Sequence, residues 1–313
     1  MLDLEDAEIL RAALENLPMG VCLVDREKRI RFWNDGAERI SGYLRQDVMG
    51  RRCSDVLLFK FHEIREALCG DECPLAAAMR DGKVREERAY LHHKSGYAVP
   101  VSFRAAPLRD ARGHVIGAVE SFIDKPCTAP ERRPDSALSV GQGLDAVTLL
   151  PDMGFTQNYL AERLNFAAQH HIPFGVLCVQ VIQLDELTAT HGPDASEAIL
   201  NVIAHSLRNG LDAQDFVGRW SEDQFLAILA NGRDIDLLAA GERLGRLAQS
   251  SAIVWWGDQL SAKVSIGGTV ILPGEPVEAL LERAGTALVG AEAKDSHPCV
   301  VLLPVETPKA EET

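Results

Sequence analysis

Three cysteines, Cys53, Cys69 and Cys73, are the residues of this chain best suited to redox or metal chemistry. Cys69 and Cys73 stand four apart in the run CGDECPL, so a helical turn there turns both thiols one way. Pro74 suits a first helical position, which puts Cys73 beside a helix N-terminus, where a thiolate is favoured. An iron–sulfur cluster, a bound metal and a thiol redox couple are the chemistries this set allows. Three thiols are one short of a four-cysteine site, which His62 or an exogenous ligand could complete. The competing reading is three buried thiols packed as small hydrophobes. His62, His92 and His93 are candidate haem or metal ligands. His92 and His93 are neighbours in a strand, so at most one of them faces a pocket. Phe32, Trp33, Phe59, Phe61 and Phe103 could line a flavin pocket or simply fill a core.

The elements that must position these residues fall into two segments. The chain has 313 residues, enough for two domains of roughly 150 residues. Its 46% hydrophobic and 25% charged residues are ordinary for a globular protein. A net charge of −14 opposes binding to nucleic acid polymers or anionic membranes. No apolar run reaches the ~18 residues of a membrane helix. The acidic, amphipathic start does not read as a secretory signal, and the seven cysteines read as thiols, so a cytoplasmic location is expected.

Residues 126–143 carry three prolines and no periodicity and read as a linker. Before them, residues 1–125 show a helix over 4–17, two short strands (20–24 and 30–33) and short helices over 36–43, 46–49 and 74–81. Three extended runs (85–92, 98–107 and 115–123) follow, joined by turn-forming HKSGY and RDARGH. This is an α+β layout, an antiparallel sheet with flanking helices. After the linker, residues 144–304 alternate helix and strand, with a hairpin over 216–230. They predict a mixed sheet with helices on its faces, and residues 305–313 form an acidic tail.

The first segment resembles a PAS domain through ENLPMGVCLVD, RIRFWNDGAERISGY, GRR at 50–52 and VPVSFRAAPLRDARGHVIGAVESFID. Trp33–Asn34, then Ala37, Ile40 and Gly42–Tyr43, are its most specific part. The resemblance implies sensing of a small ligand, cofactor or redox state, and dimerisation. Cysteine arrangements similar to the CPL run recur in PAS domains. The second segment resembles a GGDEF domain, the diguanylate cyclase fold, through DAVTLLPDMGF, HGPDASEAIL, GRWSEDQFLAIL, KVSIGG and LLERAGTALVGAEAK.

The second resemblance implies that carboxylates hold metal to join two GTP molecules. Here the usual D-x-D at the end of the first strand reads Gln180 and Ile182, and Asp185 lies three residues further on. In the signature R-x-G-G-D-E-F, Ser221 and Glu222 replace the glycines, Asp223 remains as a candidate metal ligand or turn cap, Gln224 replaces the Glu, and Phe225 is kept. Glu222 adds negative charge where a triphosphate is expected. Thr188 and Ala189 replace the guanine-reading pair. Glu292 and Ser296 replace a phosphate-binding Lys and an Arg. The inhibitory R-x-x-D begins at Asp212 and ends at Asp215, without its arginine. The expectation is a degenerate output domain acting by binding to other signalling proteins or by homodimerisation. The alternatives are a cyclase with an altered magnesium site using Asp185 and Asp223, and a GTP receptor without turnover.

Overall fold

A computed structural model describes residues 7–56, 59–61, 73–124, 143–230, 234–292 and 299–302. The chain divides into two units, Met1–Cys127 and Thr128–Thr313.

The first unit runs α1 (Ala7–Glu15), β1 (Gly20–Asp25), β2 (Ile30–Trp33), α2 (Asp35–Ser41), α3 (Arg45–Val48), a 3-10 turn (Cys53–Asp55), β3 (Phe59–Phe61), α4 (Pro74–Asp81), β4 (Arg85–His92), β5 (Ala98–Arg109) and β6 (Val115–Asp124). The strands form one antiparallel sheet in the order β2-β1-β6-β5-β4-β3, so the last long strand sits near the centre. Ile30, Trp33, Leu91, Phe103 and Phe122 fill its core with Cys22, Cys53 and Cys73. The short strand β3 was not expected; three residues carry too little periodicity to announce it.

The residues that carried the PAS resemblance are those that join the elements. Trp33 Nε1 donates to the Tyr43 carbonyl at 3.1 Å. Gly42 closes α2 at a left-handed φ of 73°, which a side chain would resist. Asn34 is the N-cap of α2 and wholly buried. Its Oδ1 accepts from Val21 N at 2.8 Å and Ala37 N at 2.9 Å. Its Nδ2 donates to the Leu14 and Met19 carbonyls, each at 2.9 Å. One amide thus ties the end of α1, the start of β1 and the first turn of α2. The GRR run lies along β2, with Gly50 N bonded to the Ile30 carbonyl and Ile30 N to the Arg51 carbonyl, both at 2.9 Å.

The second unit runs α5 (Met153–His170), β7 (Gly175–Ile182), α6 (Leu184–His191), α7 (Pro193–Gly210), β8 (Phe216–Arg219), β9 (Gln224–Leu229), α8 (Asp234–Gln249), β10 (Ile253–Trp255), β11 (Asp258–Leu260), β12 (Lys263–Val270), α9 (Val277–Glu292) and β13 (Cys299–Val301). The main sheet has the order β13-β12-β7-β9-β8, and β10 and β11 form a separate hairpin. The sheet is mixed, as expected, but its one parallel pair is β12 with β13; β7 is antiparallel to both its neighbours. One face packs against α7 and α8 through Ile199, Ile203, Leu207, Leu237 and Leu244. The other packs against α5 and α9 through Leu160, Leu280, Ala284 and Leu288.

Before α5, Asp145 closes a loop by accepting from Thr148 N at 2.8 Å and from the Thr148 hydroxyl at 2.7 Å. This loop puts Leu149 at a left-handed φ of 56°. A left-handed leucine costs about 1–2 kcal/mol, more than glycine loses in chain entropy. Leu149 is also 48% exposed, so little packing would be lost. Leu149→Gly is therefore expected to raise unfolding stability by up to about 1 kcal/mol, read as a higher urea midpoint at unchanged slope.

Candidate functional site

The turn between β8 and β9 meets the end of β7. Gln180 on β7 lies directly opposite Gln224 on β9, and opposite Ser265 on β12. Val181 N bonds to the Asp223 carbonyl at 2.9 Å and holds the turn against the strand. The side chains then form one chain of hydrogen bonds. Gln224 Nε2 donates to Gln180 Oε1 at 2.5 Å, and Gln180 Nε2 donates to Asp223 Oδ2 at 2.6 Å. The Ser221 hydroxyl donates to Asp223 Oδ1 at 2.9 Å. A carboxylate can only accept, so it orients the Gln180 amide, and that orientation makes Gln180 Oε1 the acceptor for Gln224. Both Asp223 oxygens are thus engaged by neutral donors.

Arg219 lies beneath this turn. Its Nε donates to the Ser221 carbonyl at 2.6 Å, and its Nη2 donates to the Glu222 carbonyl. Its guanidinium stands 5.1 Å from the centre of the buried Phe225 ring. Burial lowers its pKa from the ordinary value, opposed by Asp145, Asp223 and Glu222. Sequence reasoning gave this arginine no turn-building role, although it is the first residue of the signature motif.

Asp185 is exposed on the first turn of α6. The strand ends earlier than expected because Gln183 turns left-handed, at a φ of 65°, and starts that helix. Thr188 spends its hydroxyl on the Leu184 carbonyl and Ser196, both at 2.8 Å, and Ala189 is exposed. Asp215 accepts from Ala230 N at 2.9 Å and Asp212 N at 3.1 Å, a loop-closing role. Glu292 ends α9, and Ser296 lies outside the described residues. Among the described residues no group of three or more His, Cys, Asp or Glu side chains could hold a metal ion. The turn thus presents one carboxylate, two amides and a hydroxyl joined to one another.

Residues 142–297 match the family described as diguanylate cyclase, GGDEF domain, and residues 18–125 match the PAS domain family. The chain is a PAS domain followed by a GGDEF domain. Among curated proteins it is similar to the probable diguanylate cyclase DgcE of Escherichia coli (strain K12). The two are 23% identical over 271 residues, which is 85% of this chain and 24% of DgcE. It is also 23% identical over 153 residues to the diguanylate cyclase DosC of Shigella sonnei, covering 49% of this chain and 33% of DosC. The chain therefore spans about a quarter to a third of these relatives' length. Among solved structures, diguanylate cyclase SiaD from Pseudomonas aeruginosa, in complex with its activator SiaC, is 26% identical. That match covers 51% of this chain and 61% of SiaD with a TM-score of 0.49. No helix among the described residues is long and apolar enough to cross a membrane.

In the PAS domain, Cys53 and Cys73 are both buried in the core, and Cys73 directly precedes α4, with Pro74 at its first position. Cys69 and His62 lie outside the described residues, as do the side chains of Phe59 and Phe61. Trp33 and Phe103 are core residues and Phe32 is half-buried. His92 ends β4, but His93 lies in the following turn, stacked on Tyr97 at 4.3 Å, so the two do not share a strand.

The sheet also holds a residue that sequence reasoning passed over. Glu120 is 2% exposed on β6, between inward-facing Ala118 and Phe122. The period-two pattern of β6 could have revealed it as a carboxyl on the apolar face. Burial pushes its pKa from the ordinary 4.5 to about 8. The folded chain therefore keeps a proton that the unfolded chain releases above pH 4.5, and stability falls as pH rises toward 8, then levels off. At ~1.4 kcal/mol per pKa unit the total loss is a few kcal/mol. Urea unfolding across this interval is expected to show that slope, and Glu120→Gln to remove it.

Proposed function

We propose that this chain is a cytoplasmic signal-transduction protein whose PAS domain senses a small ligand or redox state and whose GGDEF domain acts by binding, not catalysis. The diguanylate cyclase relatives support cyclic di-GMP signalling as its setting. The observation that carries the non-catalytic reading is the closed chain Gln224–Gln180–Asp223–Ser221. Catalysis on triphosphates needs concentrated negative charge to hold cations. Here two neutral amides meet where carboxylates would be needed, and the one carboxylate already has partners for both oxygens. Binding at a homodimer interface, or to another signalling protein, remains open to such a domain. A ligand-driven population shift in the PAS domain would select between bound states.

The test uses the purified chain with GTP and magnesium or manganese. No cyclic dinucleotide is expected, and Asp223→Ala is expected to change nothing. Product formed at ordinary enzymatic rates, and abolished by Asp223→Ala, would overturn the reading in favour of a cyclase with an altered metal site. Calorimetry with GTP on the same sample separates a nucleotide receptor from a protein-binding module.

A further inference from the structure

Glu120 lies where a fold has little reason to keep a carboxyl. The register places it directly opposite Cys22 on β1 and Ala105 on β5, and cross-strand partners share a face. All three are 0–2% exposed. Trp33, Phe103 and Phe122 belong to the same core, with Trp33 and Phe122 ring centres 6.1 Å apart. Glu120 Oε2 has no hydrogen-bond partner among the described residues. No buried Lys, Arg or His of the PAS domain is found among the described residues to neutralise it. Both cross-strand neighbours are small and neither is an ionic partner, and an unsatisfied buried oxygen lowers stability that an apolar side chain would recover. Cost without structural return is what a binding group shows before its ligand arrives.

We propose that Glu120 anchors a small-molecule site on the inner face of the PAS sheet, taking an uncharged ligand with adjacent hydrogen-bond donor and acceptor atoms, as on an amide or lactam edge. A protonated carboxyl offers one O–H donor and one carbonyl acceptor side by side. Its complement is an N–H next to a C=O, which closes a pair of hydrogen bonds without burying charge. The absence of a basic partner among the described core residues keeps the proton on Glu120, and the aromatic surroundings favour a ligand body that is otherwise apolar. This deepens the sensing role proposed above and rests on it.

The test is calorimetry on the full chain with 2-pyridone as the probe. Saturable binding is expected for the wild type. N-methyl-2-pyridone, which lacks the N–H, is expected to bind at least about tenfold more weakly. Glu120→Gln keeps a donor beside an acceptor and should retain binding. Glu120→Leu should lose binding at least about tenfold while unfolding at a higher temperature. No saturable heat at millimolar 2-pyridone, equal affinity for the two pyridones, or undiminished binding in Glu120→Leu would each overturn the proposal. The pyridone comparison decides the matter even if a variant fails to fold. Binding is read directly, so a ligand that binds without changing the GGDEF domain's interactions would refute the relay and leave this site standing.

Discussion

Asn34→Ala is expected to destabilise the PAS domain by about 3–5 kcal/mol, among the largest effects of any single substitution in it. The side chain makes four hydrogen bonds of 2.8–2.9 Å to three separate elements. Removing it leaves two buried N–H groups and two partly buried carbonyls without that partner. Each such group costs about 1–3 kcal/mol, and local relaxation recovers part of the sum. Asn34→Asp separates the two halves of the role. It keeps both accepted bonds but sets an oxygen against the Leu14 and Met19 carbonyls. At neutral pH it should be nearly as damaging as alanine, and it should recover at low pH, where a carboxyl proton can donate to one carbonyl. Urea unfolding followed by PAS-domain tryptophan fluorescence measures both; an alanine variant within about 1 kcal/mol of wild type would refute the account.

Gly267→Ala is expected to be comparably severe in the GGDEF domain. A methyl group there would stand 2.1 Å from Leu288 N, 2.4 Å from Leu288 Cα and 2.6 Å from the Ala284 carbonyl. These are backbone atoms of α9, so no side-chain rotation relieves the clash, and the helix itself must move off β12. Overpacking usually costs about 1–3 kcal/mol, and a backbone obstacle places this case at or above the top of that range. Gly268→Ala is the control. Its methyl meets the Leu177 Cδ2 atom at 2.5 Å and the Val176 carbonyl at 3.1 Å, so a rotating leucine takes up most of the strain. Thermal unfolding should rank Gly267→Ala well below Gly268→Ala; the reverse order would show that α9 does not lie against the strand as described.

These two residues also show what could be read from the chain alone. Asn34 and Gly267 both stand in the runs that carried the family resemblances, because motifs concentrate where several elements share one contact. Strands β4 and β5 announced themselves by length and by the turns around them. Helix α6 did not: its ELTATH run holds β-branched threonines with weak helical preference, and a left-handed Gln183 starts it. At the signature turn, residue types alone showed what had been replaced. They could not show that Gln180 and Gln224 would answer each other across the sheet and engage Asp223, because that depends on register between strands distant in sequence. The period of β6 could have placed Glu120 on the apolar face, but its neighbours Cys22 and Ala105 come only from the register.

The amide chain at the signature turn responds to single acidic substitutions as a unit. Gln180→Asp by itself would bring two like charges together at the position of a 2.6 Å contact and, being one carbon shorter, draw the acceptor away from Gln224 Nε2. Gln224→Glu by itself would leave Gln180 Oε1 facing an oxygen. Each acidic replacement is unfavourable unless the other and a cation accompany it. The turn is thus one electrical unit: a lone added charge there has nothing to balance it.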